Sequence, residues 1–268
     1  NYFKSFSSIT YLDGNNKGIY NLNINTQEVS TTLYYGGFIQ STSGTTTHQN
    51  IKFYNSCVVV PLVVYKNEDK GSAGMLVSNI AGDSYTMNNV HTYDCKIFAL
   101  QKVGGLAARV AATSSIISNC SVNKCYIENY ECKEHLEEFG GGLAKFYSYG
   151  EVGGMFGFVQ DNTTISDSHV RETTVYAFGQ DDQLLGVVPG RHVSTLIGDI
   201  RTYIGGTIKI SNTSVDSNTK CTKRHDKHTY GGFLGFGSKS VKEIGKCYYV
   251  ATDDTKGKEI FNGTTIFQ

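Results

Sequence analysis

The chain repeats one short polar–apolar segment seven times, and this repeat constrains its fold more than any other feature of the sequence. Six of the seven copies carry Asn or Asp at the second position and Ile or Val at the fifth. The copies are YNLNI (20–24), YNSCV (54–58), YDCKI (93–97), SNCSV (118–122), SDSHV (166–170), SNTSV (211–215) and the degenerate IGKCY (244–248). Such self-similarity is typical of stacked structural units, none of which can bury its apolar face alone.

A pair of small residues followed by large apolar residues precedes six of these segments. The copies are GGFI (36–39), AGML (73–76), GGLA (104–107), GGMF (153–156), TLIG (195–198) and GGFL (231–234). Glycine permits a sharp corner or a close backbone approach, at which a Cβ atom would collide with the next coil. The period varies from about 25 to about 48 residues, which a β-solenoid tolerates because extra residues leave through loops.

The positions that share one face of each segment are apolar or small. Side chains alternate along a strand, so the residue after the Asn and the residue two further on point the same way. The pattern predicts that these residues point inward and that their last members form a single inner column, made of Ile24, Val58, Ile97, Val122, Val170 and Val215. With 30 Gly, 2 Pro and 18 Tyr, the composition favours strands joined by many turns.

The fold that we predict is therefore all-β: a parallel β-helix, or β-solenoid, of about seven irregular coils. It forms a single domain over residues 1–268, with loop insertions at about 128–150 and 177–193. The Asn or Asp column has two interpretations. It is either a stacked amide ladder or a set of turns in the left-handed conformation, and we favour the turns.

The charge balance argues against a nucleic-acid partner, and the hydropathy argues against a membrane-spanning segment. The 24 basic and 24 acidic residues cancel, whereas a nucleic-acid-binding protein usually has a basic face. No apolar run approaches the ~18–20 residues of a membrane span. We therefore predict neither a nucleic-acid partner nor a membrane span.

Cysteines and glycosylation sequons indicate an extracellular or cell-surface protein. The chain has 7 Cys, which is many for a reducing compartment. The N-glycosylation candidates are Asn119, Asn162, Asn212 and Asn262. Asn119 and Asn212 also belong to the Asn column, where an inward-turned side chain could carry no sugar, so Asn162 and Asn262 are the safer candidates.

The disulfide candidates are Cys95, Cys120, Cys125 and Cys132. The repeat aligns Cys95 with Cys120 on neighbouring coils, within disulfide range, although two stacked free thiols fit the same alignment. Cys125 and Cys132 could close a local loop. The odd number of cysteines leaves at least one thiol free or paired between chains.

Two stretches of the sequence resemble known families. LDGNNKGIYNLNI (12–24) resembles the opening coil of right-handed parallel β-helix proteins of the pectate-lyase-like class. GGFIQ, GGLAA, GGMFGF and GGFLGF resemble GLUG-type repeats, which occur in large surface and adhesin-like proteins. This resemblance implies a secreted or surface scaffold and brings no catalytic residues.

Few groups suggest chemistry. Polysaccharide-active β-helix enzymes need acid and base groups from successive coils on one face, and we find no such column of Asp. The acidic candidates are Asp181/Asp182, Asp253/Asp254, Glu134, Glu137 and Glu138, which we interpret as solvated loop residues. His225, Asp226 and His228 form only a weak metal pattern. We predict no catalytic residue, no metal and no cofactor.

The sequence thus favours a non-catalytic extracellular structural protein, a glycosylated β-solenoid. Its first and last segments are strand-like and lack polar caps, so we predict end-to-end self-association into a filament or surface appendage. The alternatives are a carbohydrate-active enzyme, either a polysaccharide lyase or a glycosidase, and a glycan-binding adhesin on the same scaffold. Glycans are therefore the second class of partner, and the two insertions are where we expect a binding surface.

Overall fold

The chain is a parallel β-helix, as predicted. The computed structural model describes residues 2–26, 35–60, 71–99, 101–129, 149–177, 190–202, 206–223, 229–236 and 241–249. Every strand pairing among them is parallel, and partners come from successive coils. No helix in these ranges has the length and apolarity needed to cross a membrane.

Each coil begins on a wide sheet that holds twelve strands in the described ranges and bends at its middle. Two long strands run across the bend, and the other coils cross it as two shorter strands. The strands are β1 (Tyr11–Asp13), β2 (Gly18–Tyr20), β6 (Thr45–Tyr54), β10 (Ser84–Tyr93), β14 (Ser114–Ser118), β15 (Ser121–Asn123), β19 (Asn162–Ser166), β20 (His169–Arg171), β24 (Ile208–Ser211), β25 (Ser214–Val215), β29 (Val241–Gly245) and β30 (Tyr248–Tyr249). The wide sheet thus records seven coils in the described residues.

Three narrower sheets complete the coil, each with six strands in the described ranges. The second sheet contains β3 (Asn23–Asn25), β7 (Cys57–Val59), β11 (Lys96–Ala99), β16 (Tyr126–Asn129), β21 (Thr174–Ala177) and β26 (Lys220–Lys223). The third contains β4 (Tyr35–Gly36), β8 (Ser72–Gly74), β12 (Lys102–Gly104), β17 (Tyr149–Gly153), β22 (Gly190–Ser194) and β27 (Thr229–Gly231). The fourth contains β5 (Ile39–Ser41), β9 (Val77–Ile80), β13 (Ala107–Val110), β18 (Phe156–Gln160), β23 (Ile197–Arg201) and β28 (Leu234–Phe236).

The side chains predicted to point inward are buried, but they do not form one column. Ile24, Val58 and Ile97 pair in register on the second sheet, whereas Val122, Val170 and Val215 pair on the wide sheet. The single inner column predicted from the sequence is therefore wrong. The six residues instead divide between two columns, three in each, and all six side chains belong to the same continuous core.

Five successive coils have two similar corners five residues apart, and the Asn or Asp of the repeat occurs at both. Residues with φ between 45° and 57° mark both corners. The first corner contains Asn16, Asn50, Asn89, Asn119, Asp167, Asn212 and Lys246, and the second contains Asn21, Asn55, Asp94, Lys124 and Glu172. In the first three repeats the Asn or Asp lies at the second corner. In the fourth and fifth coils Lys124 and Glu172 occupy that corner, so the aligned Asn or Asp of those repeats lies at the first corner instead.

Both interpretations of the Asn column are correct at these corners. The left-handed backbone is present, as favoured, and amide side chains also bond from coil to coil. Asn55 Nδ2 donates to Asn21 Oδ1 at 2.7 Å, and Asn89 Nδ2 donates to Asn50 Oδ1 at 2.8 Å. Asn and Asp tolerate this backbone better than most residues because a short polar side chain bonds locally.

Apart from Lys17, the residue after each corner residue is buried, and it is usually a small hydrogen-bond donor. Ser56 Oγ donates to the carbonyl oxygen two residues earlier at 2.9 Å, and Thr173 does so at 2.8 Å. The thiols of Cys95, Cys120 and Cys125 make the same bond at 3.1–3.2 Å. Cysteine thus takes the place of Ser or Thr at these corners.

The glycine pair makes the turn between the third and fourth sheets, as predicted. A Cβ atom on Gly153 would collide with the Phe156 carbonyl oxygen within the same turn. A Cβ atom on Gly154 would collide with the Thr195 carbonyl oxygen of the next coil. The first glycine therefore permits the corner, and the second permits the coils to stack closely.

Candidate functional site

A group of charged side chains is buried where the third and fourth sheets meet. Lys102, Glu151 and His192 occupy one register position on successive coils of the third sheet. Their exposed fractions are 7%, 1% and 5%. A Lys or Glu side chain is almost never so completely buried unless it is paired.

The fourth sheet supplies the partners. Asp199, with 0% exposure, accepts hydrogen bonds from Arg201 Nε at 2.9 Å and Arg201 Nη2 at 2.8 Å. Arg201 Nη2 also lies 3.9 Å from Glu151 Oε1, and Lys102 Nζ lies 3.5 Å from Glu151 Oε2. We name these four residues, Lys102, Glu151, Asp199 and Arg201, the charge cluster.

An aromatic ring forms one wall of the charge cluster. Phe158 pairs in register with Asp199 on the next coil and with Arg109 on the previous coil. The Lys102 Nζ atom and the Arg109 and Arg201 Cζ atoms lie 5.6–5.8 Å from the ring centre. At this distance a cation is attracted to the face of the ring, so Phe158 helps to hold the cations beside the carboxylates.

The surroundings of Asp199 disfavour its ionised form. Burial and, to a smaller extent, the nearby Glu151 raise the pKa of Asp199 to about 6, against the opposing effect of Arg201. A carboxyl group whose pKa is raised by its surroundings is suited to donate a proton, so Asp199 fits a proton donor beside the Glu151 carboxyl group.

Glu151 and Asp199 were not among the acidic candidates predicted from the sequence. A column of Asp on one face was expected, whereas the pair is one Glu and one Asp on adjoining sheets of successive coils. A signal was nevertheless present. KVGG (102–105), EVGG (151–154) and HVST (192–195) place an ionisable residue two positions before the turn in three successive repeats.

Three of the four sequon asparagines are exposed. Asn119, Asn162 and Asn212 face solvent, and Asn262 lies outside the described residues. Asn119 and Asn212 belong to the first corner and point outward, where Asn119 Nδ2 donates to Asn89 Oδ1 at 3.4 Å. Membership of the Asn column is therefore compatible with access to these side chains, and glycosylation stays a prediction at all four.

The structure corrects the predicted alignment of the cysteines. Cys120 precedes Ser121, which pairs with His91 and His169, so its neighbours on adjacent coils are Val90 and Ser168. Cys95 belongs to the second corner and is separated from Cys120. Cys132 lies outside the described residues, so its proposed loop with Cys125 stays a prediction.

Other candidates also fall outside the described residues. These are Asp181, Asp182, Asp253, Asp254, Glu134, Glu137, Glu138, His225, Asp226 and His228, together with most of both insertions. Among the residues that the structure describes, no group of three or more His, Cys, Asp or Glu side chains could hold a metal ion.

Exposed aromatic side chains gather at the ends of the described β-helix. Tyr2, Phe6, Tyr11 and Tyr20 are 44–64% exposed and belong to the first coil or to the segment before it. Tyr248, 62% exposed, lies on β30 at the opposite end. Tyr20 is also the outermost ring of a ladder that continues through Tyr54 and Tyr93, with ring centres 4.7–4.9 Å apart.

Comparison with known proteins supports the fold and does not identify a family. No family model matches the chain, and no curated protein matches it. Among solved structures, the chain is similar to one described as a putative immunoglobulin A1 protease from Bacteroides ovatus, at 16% identity with a TM-score of 0.58. The match covers 95% of this chain and 65% of that one, so this chain spans just under two thirds of that protein.

Proposed function

We propose that the protein is an extracellular structural β-helix that associates end to end, with the first coil of one copy on the last coil of another. The exposed aromatic residues at the two ends support this proposal. Large apolar side chains are seldom grouped on a solvent-exposed surface unless they contact a partner. Stacking of unlike ends produces an open filament because the contact does not close into a ring.

The register of the wide sheet suggests how the ends would fit. Continuing the register from β30 to β2 of a second copy would place Tyr248 opposite Gly18, which has no side chain. Tyr249 would lie opposite Ile19, an apolar pair on the inner face. In the described residues β2 pairs only with β6, so its other edge can accept a strand.

Matched variants at the end and in the middle test this contact. We expect the wild-type chain to show concentration-dependent association by sedimentation velocity. Tyr11→Lys combined with Tyr20→Lys should weaken that association, because each places a charge on the proposed contact. Ile116→Lys is the control, since Ile116 is 54% exposed in the middle of the wide sheet. A wild-type chain that stays monomeric at its highest soluble concentration, or an equal effect of Ile116→Lys, would refute the proposal.

The extracellular setting has its own test. Protein made through a secretory pathway should lose mass on enzymatic deglycosylation, and Asn162→Gln should remove part of that loss. A mass that matches the unmodified sequence would count against a glycosylated protein. It would leave the end-to-end contact to be judged by the association experiment.

The charge cluster favours a second candidate, a carbohydrate-active enzyme on the same scaffold. Glu151 and Asp199 come from adjoining sheets of successive coils, as acid and base groups of a glycosidase do. Their side chains are 1% and 0% exposed, so this candidate requires the neighbouring side chains to move aside when substrate binds. We expect a polysaccharide substrate to be cleaved by the wild-type chain and not by Glu151→Gln or Asp199→Asn. Absence of cleavage across neutral and acidic polysaccharides would exclude this candidate. The structural likeness at 16% identity concerns the fold alone, so we do not propose protease activity.

A further inference from the structure

Two cysteines face each other across successive coils at the second corner. Lys96 pairs with Tyr126 on the second sheet, so the residues just before them, Cys95 and Cys125, lie opposite each other. The Tyr126 amide donates to the Cys95 carbonyl oxygen at 2.9 Å, which fixes this register on both sides of the corner. Neighbouring parallel strands lie about 4.8 Å apart, and disulfides join Cα atoms about 4.4–6.8 Å apart.

The two side chains also point the same way. Cys95 and Cys125 are 0% and 3% exposed, and each thiol donates to the carbonyl oxygen two residues earlier at 3.2 Å. The neighbouring Cys125 thiol, together with burial, raises the pKa of Cys95. The register of the two strands and the shared inward direction of the side chains thus place the two thiols side by side in the reduced protein.

The other described cysteines have different neighbours. Cys57 pairs with Asn23 and Lys96, and Cys221 pairs with Val175. Cys120 lies between Val90 and Ser168, and Cys247 precedes Tyr248, the partner of Ser214. Within the described part of the chain, Cys95 and Cys125 are thus the two cysteines that adjacent coils bring together.

We propose that Cys95 and Cys125 are an oxidative modification site, at which a disulfide joins two successive coils. The two thiols lose two protons and two electrons as the Sγ–Sγ bond forms. A small disulfide such as oxidised glutathione accepts them and leaves as two molecules of glutathione. This thiol–disulfide exchange takes place during folding, before the second corner packs and buries the two thiols. Each sulfur then gives up its hydrogen bond to a carbonyl oxygen in return for the covalent link.

Thiol mapping after folding in a glutathione redox buffer tests the proposal. When the protein is alkylated in denaturant, we expect two of the wild-type cysteines to resist alkylation. Proteolysis should then yield one pair of peptides joined through Cys95 and Cys125. Cys120→Ser is the matched control, because Cys120 is equally buried at the first corner, and it should retain the link. Cys95→Ser should abolish it. Serine fits that corner because Ser56 occupies the equivalent position one coil earlier.

Two results would overturn the proposal. One is a wild-type protein in which Cys95 and Cys125 are both alkylated after folding under oxidising conditions. The other is a disulfide that joins either residue to a different cysteine. The wild-type peptide map decides between these results and the expected one even if a serine variant fails to fold.

Discussion

The substitution Asp199→Asn tests whether the charge cluster carries a buried carboxyl that resists ionisation. Burial and the proximity of Glu151 raise the pKa of Asp199 from its ordinary value of 3.8 to about 6. Between these two pH values the folded protein binds a proton at Asp199 that the unfolded chain has released. The free energy of unfolding therefore falls as pH rises through this window. Asparagine keeps the shape of the side chain and has no such proton to lose.

The magnitude follows from the size of the pKa difference. Each unit of pKa difference between the folded and unfolded states corresponds to about 1.4 kcal/mol of free energy of unfolding. Asp199 therefore makes the folded state about 3 kcal/mol less stable above pH 6 than below pH 4. The side chain has 0% exposure, so solvent screening does not reduce this value strongly. Relative to the wild type, Asp199→Asn should gain about 3 kcal/mol between pH 4 and pH 7.

Denaturant unfolding of the wild type and Asp199→Asn across this pH range measures the difference. Asp83→Asn is the control, because Asp83 is exposed and lies just before β10 of the wide sheet, outside the charge cluster. The reasoning fails if the difference between Asp199→Asn and the wild type is the same at pH 4 and pH 7. It also fails if Asp83→Asn reproduces the effect.

Three further predictions concern the corners and one histidine. Gly154→Ala should lower the free energy of unfolding by about 3 kcal/mol, because its Cβ would collide with the backbone of the next coil. Gly245 has open space around it, so Gly245→Ala should leave the free energy of unfolding unchanged when both variants are measured by denaturant titration. Asn89→Ala should cost about 2 kcal/mol through the left-handed backbone and the lost ladder, and Asn89→Gly should cost less. Burial lowers the pKa of His91 to about 4, with help from Lys52 and His169. His91 should therefore contribute a loss of stability as pH falls from 6.5 towards 4, opposite in sign to the contribution of Asp199. In thermal melts, His91→Gln should thus become more stable relative to the wild type as the pH falls through this window.

The sequence was sufficient to predict the β-helix because the inward positions are apolar or small in every repeat. The alternation around Ile24 and Val170 indicates a buried face without any knowledge of its neighbours. The sharp turn at Gly153 and Gly154 was also predictable, because few other residues allow such close backbone approach. Both the buried face and the turn were predictable because each depends on residues that are close together in the sequence.

The assignment of columns was not predictable in the same way, because it depends on which coil lies beside which. Lys124 and Glu172 adopt the same left-handed backbone as Asn55, yet nothing in their side chains signals it. Their ends lie 3.9 Å apart across successive coils, so an exposed ion pair replaces the amide ladder. The contact between Glu151 and Arg201 likewise joins two sheets and two coils, and periodicity within one segment contains no information about it.

The links between the second and third sheets vary more in length than any other connection in the described coils. The chain passes from Ala99 to Lys102 almost directly, but residues 61–70, 130–148 and 178–189 intervene at the same point of other coils. Each link starts at the second sheet and returns to the third, and the strands on both sides keep the same register whatever the length of the link. Inserting or deleting residues between these two sheets should therefore leave the pairing of the flanking strands unchanged.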